Sequence, residues 1–195
     1  MKFVFAIAVF CVVPVAVSAQ SFEEIVAKAS DQVGEIGKYQ EALQNPDQRF
    51  QYALIQQMLK LPDPALQRIA KEHALFSTNP VMREAAIKAI LDSGTTLRMQ
   101  IAATSEKPSK LAAWVTSNGG TFIDGRGEIL WIVPAPKDDD CWGQRDCVFR
   151  QVGNSVQFNA GYTNVTMSLG NDGVLRGNLS YSNQEFAQVQ VDLKE

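Results

Sequence analysis

The chain has 195 residues, 46% of them hydrophobic, with 18 basic and 21 acidic side chains. That suffices for one mid-sized core or two small ones. The charge is spread evenly, with no basic stripe to neutralise phosphates, so nucleic acid is not an expected partner. A single histidine, His73, and three cysteines leave no familiar four-ligand spacing for zinc, and neither a metal nor a cofactor is expected.

Residues 1–19 begin with Lys2, continue through an unbroken apolar run over 3–13, and end on the small residues Ala16, Ser18 and Ala19. Charge, apolar stretch and small-residue site, in that order, predict a secretory signal peptide cleaved after Ala19. The run is shorter than the roughly 20 residues a spanning helix needs, and bulky Phe10 argues against lipidation of Cys11. Cleavage removes 19 of the 195 residues and leaves 176, with 17 basic side chains against 21 acidic. No later apolar run is long enough to span a membrane. Cys11 departs with the signal, so Cys141 and Cys147 remain, with five residues between them. In the periplasm or outside the cell such a pair is expected to form one disulfide.

From residue 20 to 94 the apolar spacing is helical. Phe22, Ile25, Val26, Ala29, Val33, Ile36 and Leu43 recur at three- and four-residue intervals, the stripe of an amphipathic helix. Ser21 and Glu24 open it as a capping box. Gly34 and Gly37 weaken the same pattern near its middle. Asp63-Pro64 and Asn79-Pro80 then start two segments that superpose at a spacing of sixteen, pairing Leu66 with Met82, Ala70 with Ala86 and Leu75 with Leu91. Asp47 extends the register backwards, pairing Phe50 with Leu66 and Leu59 with Leu75. Asp or Asn caps followed by proline at the first helical position predict three helices of about three turns.

Over residues 45–94 the segments Asp63-Pro64 with Arg68, and Asn79-Pro80 with Arg83 and Ala85-Ala86, resemble short HEAT-like helical repeats of exported bacterial type. The resemblance covers about a quarter of the chain. It implies antiparallel helices and a surface for a protein partner, with Arg68 and Arg83 as its expected contacts. The sixteen-residue spacing and the small number of units depart from the family, so the short array needs another element to cover its ends.

After Gly94 the period changes to two, and residues 95–195 read as an antiparallel β domain. Leu97, Met99 and Ile101 alternate with polar neighbours; 111–115 is ambiguous between helix and strand; Gly119-Gly120 and Asp124-Gly125 bracket a short strand. Residues 129–133 (ILWIV) are apolar without alternation, predicting a strand buried on both faces with Trp131 in the core. Four alternating runs close the chain, around Val156 and Phe158, Val165 to Leu169, Leu175 to Tyr181, and Ala187 to Leu193, so the sheet should be wet on one side. Face matching selects a three-residue Asn171-Asp172-Gly173 loop that pairs Leu169 with Leu175, Met167 with Gly177 and Val165 with Leu179, with Gly173 left-handed. The expected fold class is α+β: short antiparallel helices, then a β-sandwich or small barrel.

Few residues suggest chemistry. His73 lies on the apolar stripe of its helix and has no triad partners. Asp138, Asp139 and Asp140 precede Cys141, but their spacing is not that of a calcium loop. Trp142, inside the disulfide loop, falls outside any apolar period. An exposed indole there, beside the three aspartates, would stack on a sugar or anchor a partner; otherwise it packs on the cystine or the sheet. Asn164 and Asn178 open formal glycosylation sequons on the wet face, meaningful only in a eukaryotic secretory pathway. No catalytic set is identified. The leading expectation is an exported, non-enzymatic binding or adaptor protein of the cell envelope. A carbohydrate-binding module built on Trp142 is the alternative, and a carboxylate-based glycoside hydrolase ranks third.

Overall fold

The computed structural model describes residues 21–194; the signal peptide assigned to 1–19 lies outside the described residues. The chain divides into two units, one ending at Gly37 and the other beginning at Lys38. The first contributes most of α1 (Phe22–Ala42). Its capping serine acts as expected, Ser21 Oγ accepting the Glu24 N–H at 3.3 Å. The glycines do not interrupt the helix, and its apolar stripe is open, with Phe22 80% and Val33 70% exposed.

In the second unit α2 (Gln48–Lys60), α3 (Pro64–Leu75) and α4 (Pro80–Asp92) begin on the sixteen-residue register. The side chains of Asp47, Asp63 and Asn79 each accept a backbone N–H from the first turn, satisfying donors that have no partner inside the helix. Leu66, Ala70, Leu75, Met82, Ala86 and Leu91 are buried as the repeat requires. The backward extension fails at Phe50, which is 45% exposed. Helix α2 buries only a narrow stripe, Ile55 and Met58, because it packs chiefly on α3.

The ten strands among the described residues form one antiparallel sheet: β1 (Thr96–Ala103), β2 (Thr121–Ile123), β3 (Arg126–Ile132), β4 (Pro136–Asp138), β5 (Cys141–Trp142), β6 (Phe149–Val152), β7 (Ser155–Ala160), β8 (Thr163–Leu169), β9 (Val174–Tyr181) and β10 (Glu185–Asp192). Their spatial order is β2-β3-β1-β10-β9-β8-β7-β6-β5-β4. Strands β3 and β7 stand five places apart, about 24 Å if the sheet were flat. Yet the rings of Trp131 and Phe158 meet at 4.8 Å between centroids, and Trp114 of α5 (Ser109–Ser117) touches both. The sheet is therefore curled, with its apolar face inward around this aromatic cluster.

The β8–β9 turn has the anticipated register, with Leu169 opposite Leu175 and Val165 opposite Leu179, and Gly173 has φ 78°. Asp172 and Arg176 close it with two hydrogen bonds of 2.8 and 2.6 Å. Those bonds hold the Asp172 carboxyl well below the usual carboxylate range.

Strand β3 corrects one expectation. Ile129 and Val133 are buried, but Leu130 is 57% and Ile132 69% exposed. The apolar run is buried on its inner face only. The curled sheet fills its concave side, and the outer side at these two residues is open.

Candidate functional site

Helix α3 meets the sheet where β1 and β3 pair and where β10 ends. Between them lies a groove of about 530 Å³. Its helical wall carries Arg68 and Lys71, three residues apart and so on one face of α3. The opposite wall combines Thr96, Leu97 and Leu130 with Leu193 and Lys194. Four cations line the groove against two carboxylates, Glu72 and Asp192. Two of the cations are occupied: Lys194 pairs with Asp192 at 3.3 Å and Arg98 with Glu128 at 3.0 Å. Arg68 and Lys71 enter no ion pair or side-chain hydrogen bond among the described residues. Arg68 is exposed and Lys71 half-buried; burial lowers the pKa of the Lys71 ammonium.

A second groove, of about 630 Å³, runs along α2, α3 and α4. It shares Gln67, Lys71 and Ser93 with the first and adds Lys60 and Lys88. Lys71 thus stands on the ridge between two adjoining depressions. This arrangement can attract and orient an anionic group beside apolar surface.

The other residues singled out from the sequence are placed differently. Trp142 is fully buried. Its Nε1–H donates to Asp92 Oδ1 at 3.0 Å, and the Lys88 ammonium lies 5.2 Å from the ring centroid. The indole is therefore a core side chain and not an exposed stacking platform. The reason is topological: β5 pairs with β6, and Trp142 falls opposite Phe149 on the inner face. Arg83 is also committed internally, donating to the carbonyls of Leu169 and Gly170, both at 2.7 Å, and to Asn171 Oδ1 at 3.3 Å. It ties α4 to the β8–β9 turn and is not free for a partner.

Asp138, Asp139 and Asp140 are exposed at the β4–β5 hairpin, and the Lys88 ammonium donates to the Asp139 carbonyl. Cys141 and Cys147 form the expected disulfide, with Cα atoms 5.4 Å apart. His73 is half-buried in a separate depression with Leu43, Ile69 and Phe76, and burial lowers its pKa. Of the six side chains proposed for contact, only Arg68 lies in the groove. Lys71 was the residue missed. Its signal was a second cation three places after Arg68.

Among the described residues no group of three or more His, Cys, Asp or Glu side chains could hold a metal ion, and no helix is long and apolar enough to cross a membrane. No family model matches the chain, and neither a curated protein nor a solved structure is a significant match to it.

Proposed function

We propose that the protein is an exported, non-enzymatic binding protein of the cell envelope that holds an acidic, partly apolar segment of a partner protein against α3. One observation carries the reading: Arg68 and Lys71, adjacent on one helix face and free of internal partners, stand across a groove from Leu130 and Leu193. A half-buried cation without a counter-ion is unfavourable in the free protein, and a carboxylate entering the groove would relieve that cost. Apolar side chains of the same segment would cover Leu130. The short helical repeats supply the rigid wall, in keeping with their resemblance to HEAT-like units. Export is supported by the Cys141–Cys147 disulfide, a bond that persists in oxidising compartments.

The test uses defined extended peptides in which acidic residues alternate with leucine, and the same peptides with amides in place of the acids. The acidic set should bind about tenfold more tightly at low salt, with the advantage falling as ionic strength rises. The double variant Arg68→Glu with Lys71→Glu should abolish that advantage. Equal binding of the two peptide sets, or an unchanged advantage in the double variant, would sink the reading. The export half is checked separately by sequencing the mature N-terminus, which should be Gln20.

A further inference from the structure

On the outer face of the sheet, polar side chains converge at one place across β3, β1 and β10. Register puts Gln100 of β1 opposite Gln190 of β10, and Ala102 between Gln188 of β10 and Arg126 of β3. All five are exposed. Ala102 has the shortest side chain of the group, so it forms the floor of a dent of about 400 Å³ walled by the three glutamines and Arg126. That volume lies within the roughly 300–1,000 Å³ of small-molecule sites.

Phe186, the next outward residue on β10 and 48% exposed, stands about 7 Å along the strand from Gln188. Its backbone is held on both sides. Ser105 Oγ accepts its N–H at 2.8 Å, and its carbonyl accepts the Thr104 N–H at 2.9 Å.

None of the three carboxamides, nor the Arg126 guanidinium, makes a side-chain hydrogen bond or ion pair among the described residues. Glu128, opposite Gln100 on β3, is paired with Arg98 at 3.0 Å, and Arg126 enters no ion pair among the described residues. Three amides present donors and acceptors together, which is what hydroxyl groups need. A guanidinium fork matches a carboxylate with two parallel bonds. The exposed Phe186 ring, one outward place along β10 from Gln188, offers an apolar face.

We propose that this dent binds a carboxylate-bearing pyranose, an acidic sugar unit of a glycan. The sugar's carboxylate would sit on Arg126, its hydroxyls on Gln100, Gln188 and Gln190, and its C–H face against Phe186. The proposal does not rest on the groove beside α3, with which the dent shares no lining residue.

The experiment is an NMR titration of the mature chain, following the side-chain amides of the three glutamines. Hyaluronan tetrasaccharide serves as the acidic probe and chitotetraose as the neutral one. Saturable shifts are expected with both, and about tenfold tighter binding with the acidic probe, as one charge-assisted pair provides. Arg126→Gln should bring the acidic probe down to the affinity of the neutral one and leave the neutral one unchanged. Gln188→Ala should weaken both severalfold. All these positions are exposed, so folding is checked by the unchanged amide spectrum elsewhere. Absence of saturable shifts, equal affinity for the two probes, or indifference to Arg126→Gln would show a merely solvated sheet face and overturn the proposal.

Discussion

Glu185 caps a helix that lies more than seventy residues before it in the chain. Its Oε2 accepts the Leu111 N–H at 2.6 Å and its Oε1 the Lys110 N–H at 3.1 Å, in the first turn of α5. The residue preceding that helix is Pro108, which makes no side-chain cap. The first N–H groups of a helix need acceptors from outside it, and a carboxylate there also meets the positive end of the helix dipole. Glu185 is itself buried, so its removal leaves the buried Leu111 N–H and the part-buried Lys110 N–H without their partner. Glu185→Ala is expected to cost about 2–3 kcal/mol in urea unfolding. Glu185→Gln should cost less, because one amide oxygen can still accept. Equal and small losses for the two variants would show that water replaces the cap.

That contact also explains what the sequence left open at 111–115. Local signals define a helix through its cap and its period, and here the cap comes from another strand. The caps at Asp47, Asp63 and Asn79 are local, and the helices they start were legible for that reason. The Leu169–Leu175 register was equally legible, because a slip of one residue would turn every side chain of β9 to the wrong face. The curl was legible only as far as the choice between a sandwich and a small barrel; that the described strands form one curled sheet and not two packed ones was not. Whether ILWIV is buried on one face or two depends on what lies outside β3, and Trp142 is core because Phe149 stands opposite it. Of the groove, Arg68 was visible as a charged position on a helix. Its counterpart wall from β1, β3 and β10 exists only in the folded chain.

The hydrogen bond from Trp142 to Asp92 fixes the disulfide hairpin to the last residue of α4. Trp142→Ala removes a fully buried indole and should destabilise the protein by about 3–5 kcal/mol. Asp92→Ala leaves the indole in place but orphans its N–H, for about 1–3 kcal/mol. If the bond matters as a pair, Trp142→Phe and Asp92→Ala will be non-additive in a double-mutant cycle. Strict additivity would mean that the indole N–H finds another acceptor once Asp92 is gone.

Burial lowers the pKa of His73, and the sign of the consequence follows directly. The unfolded chain binds the proton more tightly than the folded one, so stability falls as pH drops below the ordinary histidine value of about 6.5. The loss is complete once pH is below the lowered folded value. His73→Gln should flatten that part of the stability curve, measured as the urea midpoint between pH 7.5 and 5. A slope that persists in the variant would assign the titration to carboxylates instead. Lys71, lowered by burial in the same way, has the same sign but begins to lose stability below the ordinary lysine value of about 10.4. Lys71→Met removes an unpaired, half-buried charge and is expected to raise stability by about 0.5 kcal/mol, while weakening the acidic peptides of the groove test.

Two glycines in one hairpin separate conformational strain from steric exclusion. Gly173 has φ 78°, the left-handed conformation that its position in the three-residue turn requires. A Cβ added there would meet nothing closer than 3.4 Å, at the Phe76 ring. Gly173→Ala should therefore cost only the backbone penalty, about 1–2 kcal/mol. Gly177 is different. It lies opposite Met167 on one side and Val189 on the other, and a Cβ there would approach the Thr166 carbonyl oxygen to 2.3 Å. The obstacle is backbone within the sheet, which cannot turn aside as a side chain would. Gly177→Ala should cost more than Gly173→Ala, at about 3 kcal/mol or above. Asn at 173 tolerates positive φ better than alanine does, so Gly173→Asn should recover part of the loss there, while Gly177→Asn should not. Thermal unfolding of the four variants decides it: the two sites are expected to rank in opposite ways for alanine and asparagine, relief at 173 and further loss at 177. The same ranking at both positions would mean that Gly173 is held by packing against Phe76 and Lys194 rather than by its backbone angle.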